Sequence, residues 1–331
     1  MIIEKPYLLF LGDAPDQLAA KTATGIADWR PEWCVGQFRL PGCGADTGLP
    51  DVDVAEAIRQ GAKTLVIGVV NSGGFMPDTW TDAICDALAQ GLDLASGLHG
   101  RLESFPAIND AAKKHGRRLH NVRHSTNEFT TGKGHKRAGK RLLTVGTDCS
   151  CGKKYTALAI ERAMRARGIK ADFCATGQTG VLIAERGVAI DAVIADFISG
   201  AAEWLSPDNE ADHWDLIEGQ GSLFHASYAG VSLGLMHGAQ PDLLVLCHEP
   251  TRTHMRGLPH APIPALEDCI ALNLANAKLT NPEVRMLGLS VNTSALSDAA
   301  AAEYLAETSA RLSLPCVDVM RGGADGLLDH L

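Results

Sequence analysis

The chain has 331 residues, 46% of them hydrophobic and 21% charged, with a formal net charge of −9. That length and balance suit two soluble globular domains, and the acidic surplus argues against a nucleic-acid surface, which needs basic faces. No apolar run approaches the ~20 residues that span a bilayer. The opening Met-Ile-Ile-Glu-Lys-Pro lacks the design of a signal peptide, and the 9 cysteines, an odd number without zinc spacing, read as reduced thiols. A cytoplasmic protein that avoids nucleic acid and membrane is expected.

The first predicted element is an apolar strand, Tyr7–Leu11, turning at Gly12-Asp13. A helix is predicted over 53–60 and a strand over 64–70, which ends at Asn71-Ser72-Gly73-Gly74. Helices follow at 78–90 and 107–115, each with a polar or proline start. Strands alternating with helices imply a parallel sheet covered on both faces. Glycines at a strand's carboxyl end either line a ligand site or simply make a tight turn, so Ser72 and Gly73 are candidate substrate contacts. Gly12-Asp13 lacks a full dinucleotide fingerprint, which argues against an oxidoreductase.

Residues 124–140 are polar, basic and glycine-rich, and read as a linker. Domains are accordingly placed at 1–125 and 141–331, joined by 126–140. Lys133, Lys136, Arg137, Lys140 and Arg141 are either a solvated connector or helpers in anion binding. Strands are then predicted near 142–145, 171–175, 215–217, 243–247, 284–291 and 315–319, with helices at 153–167, 264–277 and 298–311. This is a second doubly wound α/β unit.

Residues 141–156 say most about chemistry. A short apolar strand breaks at Gly146, passes through small residues, and reaches Gly152-Lys153 where a helical pattern begins. Loop N–H groups and a helix N-terminus aim positive charge at an anion, and Lys153 supplies a full charge. Gly146, Thr147, Asp148, Cys149, Ser150, Cys151, Gly152, Lys153, Lys154 and Tyr155 are therefore assigned to an anionic cofactor. Five residues, not four, separate Gly146 from Gly152, a spacing that resembles the loop of dethiobiotin synthetase. Lys154 stands where a Mg²⁺-binding Ser or Thr is expected, and Thr156 cannot be assumed to replace it. The simplest reading keeps the anion and drops the metal: a diphosphate is held, and no metal is required. Cys149-x-Cys151 reads better as small loop side chains than as a metal or redox pair.

Further clusters follow other strands and converge on one sheet edge, where open α/β folds bind ligands. Ala175-Thr-Gly-Gln-Thr-Gly180 offers Gln178 and Thr179 as substrate contacts, and Asp215-Leu-Ile-Glu-Gly-Gln-Gly-Ser222 offers Gln220 and Ser222. Glu218 would hold Mg²⁺ in this loop class or accept a proton from an amine. His225 is the better-tuned general base, since imidazole titrates near neutrality, or else a structural donor. His248 and Glu249 are its rivals. Arg252 is a fork for a substrate carboxylate or an ordinary ion pair. Asp196 orients a ligand amine or caps a helix, and Asn292-Thr293 closes the set.

Gly146-Thr-Asp-Cys-Ser-x-Gly-Lys, Ala175-Thr-Gly-Gln-Thr-Gly180, His213-Trp-Asp-Leu-Ile-Glu-Gly-Gln-Gly-Ser222 and Cys247-His-Glu-Pro250 together resemble the D-glutamate N-acetyltransferase (DgcN) family, P-loop proteins long without a function. Leu40-Pro-Gly-Cys43, Asp46-Thr-Gly-Leu-Pro50 and Ser96-Gly-Leu-His99 extend the match to the N-terminal half. The resemblance implies a Rossmann-like N-terminal domain and a P-loop NTPase-like C-terminal domain. It implies acetyl transfer from acetyl-CoA, as co-substrate, to the α-amine of D-glutamate in D-glutamate catabolism. Catalytic roles for His225, Glu218 and Asp196 remain open within it. Acetyl-CoA carries a diphosphate and needs no hydrolytic Mg²⁺, which agrees with Lys154. The oxyanion would fall to N–H groups of Gly177–Gly180 or Gly219–Gly221, and direct transfer is preferred to a route through Cys149 or Cys151. An acidic two-domain enzyme of this size is often a dimer or larger, so a homo-oligomer is expected. The alternatives are an ATP- or GTP-dependent ligase or kinase resembling dethiobiotin synthetase, and a non-catalytic nucleotide sensor.

Overall fold

The computed structural model describes residues 3–69, 76–184 and 186–331; Ser72 and Gly73 lie outside them. Strands β1 (Tyr7–Gly12), β2 (Cys34–Arg39), β3 (Thr64–Ile67), β4 (Asp93–Ser96) and β5 (Leu119–Asn121) pair in the order β2-β1-β3-β4-β5, all parallel. β1, β3 and β4 are buried at every residue, as strands with helices on both faces must be. The covering helices include α1 (Lys21–Trp29), α2 (Val54–Arg59), α3 (Asp78–Gln90) and α4 (Pro106–His115). The last three match the predicted helices to within a residue or two because their ends are written locally. Asp53 accepts from the Glu56 N–H at 2.7 Å to cap α2, and α3 and α4 stop on the left-handed glycines Gly91 and Gly116. α1, β2, β4 and β5 were not predicted. Gly36 breaks the apolar pattern of β2, and the break has a cause: a Cβ there would lie 2.5 Å from the Pro50 carbonyl.

The second sheet contains β6 (Lys140–Gly146), β7 (Ala171–Cys174), β8 (Trp214–Ile217), β9 (Leu243–His248), β12 (Arg285–Val291) and β13 (Cys316–Val317). Its order is β13-β12-β9-β6-β8-β7, again all parallel, with a small antiparallel hairpin, β10 (His254–Met255) and β11 (Leu258–Pro262), inserted after β9. Its helices are α5 (Lys153–Ala166), α7 (Ile198–Leu205), α8 (Ala229–Ala239), α9 (Leu266–Ala277), α10 (Asp298–Leu312) and α11 (Asp325–Leu328). Glycine content hid α8 from sequence periodicity. Those glycines are needed for packing: a Cβ at Gly238 would meet the Ser199 carbonyl at 2.2 Å, and one at Gly234 would meet Ile198 at 2.7 Å.

The unit boundaries differ from those read in the sequence. Met1–Asn127 folds with Gln178–Ala189, which contains α6 (Gln178–Ala184), while Glu128–Gly177 folds with Ile190–Leu331. The segment 128–140, expected to be a solvated linker, is tied to the second unit. Its Lys133 and Gly134 N–H groups donate to Glu203, and Arg137 donates to the Gly238 and Ala239 carbonyls. Arg141 is fully buried, with its guanidinium bonded to Ser206 and to the Arg137, Ala138 and Pro207 carbonyls. These cations lie at the start of β6, one strand length (roughly 20 Å) from the loop that follows it, and so cannot help an anion there. Among the described residues no helix is long and apolar enough to cross a membrane.

Candidate functional site

Parallel pairing of β6, β7, β8, β9 and β12 brings their carboxyl ends to one edge, so the strand-end clusters of the second unit meet as expected. The exceptions are Gln178 and Thr179, whose side chains serve the first unit. The Thr179 hydroxyl lies 3.1 Å from that of Thr22, and the Gln178 stem covers Gly97. Asp196 sits exposed on the turn Ala195–Phe197, and among the described residues no hydrogen bond links it to the strand ends.

The loop after β6 forms the expected cradle. Ser150 and Gly152 take left-handed φ values of 52° and 104°, folding the chain back before α5 begins at Lys153. Lys153 is buried, with its ammonium donating to the Asp148 carbonyl at 2.7 Å and lying 3.5 Å from the Cys151 sulfur. The Cys151 thiol donates to the same carbonyl at 3.1 Å. A Cβ on Gly146 would come within 2.8 Å of the Lys153 Nζ, so the bare glycine is what lets the ammonium cross the strand end. Thr156 turns away: its hydroxyl donates to Ser290 at 2.8 Å inside the sheet layer. Neither the residue after Lys153 nor Thr156 therefore offers the loop a metal-binding hydroxyl.

Glu218, at the end of β8, is buried beside this lysine. One carboxylate oxygen accepts from the Thr176 and Gly177 N–H groups at 3.0 and 3.1 Å. Burial pushes its carboxyl above the ordinary range, and the charges of Lys154 and Lys153 and those two N–H groups only partly oppose the shift. A carboxylate so raised, next to two lysines at a strand-end cleft, can hold or release a proton closer to neutrality. Gln220 is anchored by donating to the Thr176 hydroxyl, and the Ser222 hydroxyl accepts from the Phe224 N–H. The Gly177 and Gly219 N–H groups go to Glu218 and the Thr144 hydroxyl, so neither is free for an oxyanion as the sequence reading supposed.

His225 is placed differently from a general base. Nδ1 accepts from the Ser227 N–H at 3.2 Å, and Nε2 lies 3.0 Å from the Arg256 carbonyl, to which it donates. Its lone pair is already taken, so His225 is a structural donor here. His248 is no better placed: burial pushes it down to about 4, and Nδ1 pairs with the Thr147 hydroxyl at 3.1 Å. Glu249 accepts from Thr251 and Arg252. The Arg252 fork is spent on the loop as well, donating to Asp148 at 2.5 Å, to the Cys149 carbonyl at 2.6 Å and to the Ser150 carbonyl at 3.3 Å. It braces the cradle and is not available to clamp a substrate carboxylate in both N–H directions.

Asp148 organises this side. Burial works against its charge, yet the Arg252 guanidinium and the Arg256 and Cys149 N–H groups hold the carboxyl below the usual range. Asp148, Cys149 and His225 each offer a ligand atom within 4.8 Å of the others. A cation there would have to displace the Arg256 carbonyl or the Ser227 N–H from His225 and would sit beside Arg252, so this donor set fits a metal poorly. The Cys149 thiol is pushed up to about 11 by burial, which disfavours the thiolate that a covalent route needs. Sequence reasoning missed Arg256, which stands in a short turn that carries no motif.

Residues 38–125 match the model of a domain of unknown function, DUF1611_N, a Rossmann-like domain, and residues 128–328 match its DUF1611_C P-loop domain. A protein of Tritonibacter scottomollicae named D-glutamate N-acetyltransferase is 56% identical over 330 residues, 100% of this chain and 99% of that protein. One of the same name from Pseudoalteromonas sp is 54% identical over 331 residues, 100% of both. The crystal structure of a DUF1611 family protein from Anabaena variabilis superposes with a TM-score of 0.89 at 34% identity, covering 99% of each chain.

Proposed function

The chain belongs to the DUF1611 family, with a Rossmann-like N-terminal domain and a P-loop C-terminal domain, and on that premise we propose that it is an N-acetyltransferase acting on D-glutamate. Acetyl-CoA is the acyl donor in this reading. The observation that carries the donor is the pairing of a buried Lys153 with Lys154 in the position of a metal-binding hydroxyl. Such a cradle attracts a diphosphate electrostatically without offering the oxygen that Mg²⁺-dependent nucleotide chemistry uses.

The incoming amine arrives as an ammonium and must lose a proton before it attacks the thioester. Glu218 takes that proton, because it is the strand-end carboxylate whose surroundings raise its proton affinity. The negative charge of the tetrahedral intermediate then forms at the thioester, a pantetheine arm's length from the diphosphate, and is met by N–H donors there rather than by the lysines that hold the phosphates. Collapse of the intermediate breaks the carbon–sulfur bond, the departing thiolate of coenzyme A takes the proton back from Glu218, and the second excess proton on the attacking nitrogen passes to solvent, leaving the neutral amide. Both substrates are small molecules, and a cytoplasmic setting agrees with nine cysteines that are all free thiols.

The test is thiol release from acetyl-CoA in the presence of D-glutamate, with L-glutamate, other D-amino acids and ATP–Mg²⁺ as comparisons. Release confined to D-glutamate and independent of ATP is expected, and Lys153→Ala should weaken acetyl-CoA binding about 100-fold, the scale of losing a charged hydrogen bond in a buried site. Unchanged acetyl-CoA affinity in that variant, or ATP cleavage in place of thiol release, overturns the reading.

A further inference from the structure

Arg256 occupies the tip of the β10–β11 hairpin, where Met255 pairs with Leu258 and Gly257 supplies a φ of 77°. Its backbone is pinned on both sides. The N–H donates to Asp148 at 2.9 Å, and the carbonyl accepts from His225 at 3.0 Å. Asp148 and His225 are each only 1% exposed, so two buried titratable side chains each spend one hydrogen bond on the backbone of one turn residue. Burying such groups is costly, and a surface hairpin does not need it for its own folding.

The half-buried side chain aimed by this arrangement has no hydrogen bond or ion pair among the described residues, whereas Arg252 nearby makes four hydrogen bonds. Its charge lies close enough to Cys149 to help lower that thiol, against the burial that raises it. A guanidinium without a partner among the described residues is thus carried on a backbone fixed against Asp148, within electrostatic range of Cys149 in the phosphate loop. Coenzyme A carries more phosphate than one loop lysine neutralises, and a planar fork fits a phosphate's oxygens.

We propose that Arg256 is a second phosphate-binding residue for the acyl donor, held in register with the loop by Asp148 and His225. This rests on the acyl-CoA reading above. Because the turn is held through backbone atoms, side-chain substitutions leave its anchors intact.

Calorimetric titration of acetyl-CoA and of its 3′-dephospho form into the wild type, Arg256→Ala and Arg256→Lys tests the proposal. Arg256→Ala is expected to raise the Kd for acetyl-CoA about 10- to 100-fold, with partial recovery in Arg256→Lys, an unchanged melting temperature and an unchanged KM for D-glutamate. If the loss disappears with the dephospho form, Arg256 holds the ribose 3′-phosphate; if it persists, Arg256 holds the diphosphate. Equal binding by wild type and Arg256→Ala, or a loss that appears in the D-glutamate KM alone, overturns the proposal. A wild type that binds no acetyl-CoA defeats the donor assignment itself, and this proposal with it.

Discussion

Glu218 and Arg252 show how residue identity and residue environment divide the work. Glu218 was legible as a strand-end acid, but only burial explains why its proton affinity is raised. Glu218→Gln should lower kcat by about 10²- to 10⁴-fold, with acetyl-CoA affinity within twofold of wild type. In the wild type the acid limb of the pH–rate profile should lie above the ordinary glutamate value of ~4.3, because the base must be deprotonated and its pKa is raised. The same shift has a sign for stability. A carboxyl raised in the folded state favours folding at low pH and costs stability as pH climbs through the folded value. Glu218→Gln keeps an acceptor for Thr176 and Gly177, so its melting temperature at pH 8 should equal or exceed that of the wild type, the difference closing below pH ~4.

Asp148 titrates in the opposite sense. Its lowered carboxyl contributes stability above the ordinary value of ~3.9, lost as pH falls through the folded value. Arg252→Met leaves this buried carboxylate without its main partner and should cost about 3 kcal/mol, near the low end for a broken buried pair because Arg252 is partly exposed. Acetyl-CoA affinity should fall with it while the KM for D-glutamate holds, a split measurable by denaturation and steady-state kinetics. A rise confined to the D-glutamate KM would restore the clamp role read from the sequence.

At the scale of elements, the cradle depends on how closely β6, β8 and α5 approach. A Cβ on Gly219 would lie 1.6 Å from the Thr144 carbonyl and 3.1 Å from the Lys153 Cδ. Gly219→Ala must therefore push the end of β8 off β6 and move the lysine stem. A loss of about 1–3 kcal/mol in unfolding free energy is expected, together with weakened acetyl-CoA binding. Gly230→Ala is the contrast, since nothing lies within 4 Å of a Cβ there; its unfolding free energy should stay within about 1 kcal/mol of the wild type. Two glycines that read alike in sequence thus differ by what is packed on them.

For the whole molecule, the interleaving of the units is the feature with consequences. Gln178–Ala189 lies between strands of the second unit in sequence but folds with the first. Val181, Leu182 and Ile183 are buried there, so a fragment of residues 128–331 would expose them. Such a fragment is expected to aggregate and to bind a hydrophobic dye, whereas the full chain should not. A fragment that is monomeric, dye-silent and fully folded by circular dichroism would show that this segment finds other cover.

The sequence alone determined the alternating α/β pattern, the phosphate loop and the convergence of strand ends. These follow from local codes: apolar runs, glycine at helix ends, and a lysine opening a helix. Tertiary structure decided which of the gathered side chains are free to act. His225, Arg252, Thr179 and Ser222 carry the right chemistry, but each has a donor or acceptor committed to a partner near or far along the chain. Arg256, in a short turn with no motif, is set beside the loop by Asp148, 108 residues away. Hydrogen-bond satisfaction and burial belong to the folded arrangement, so no reading of residue types could have made that separation.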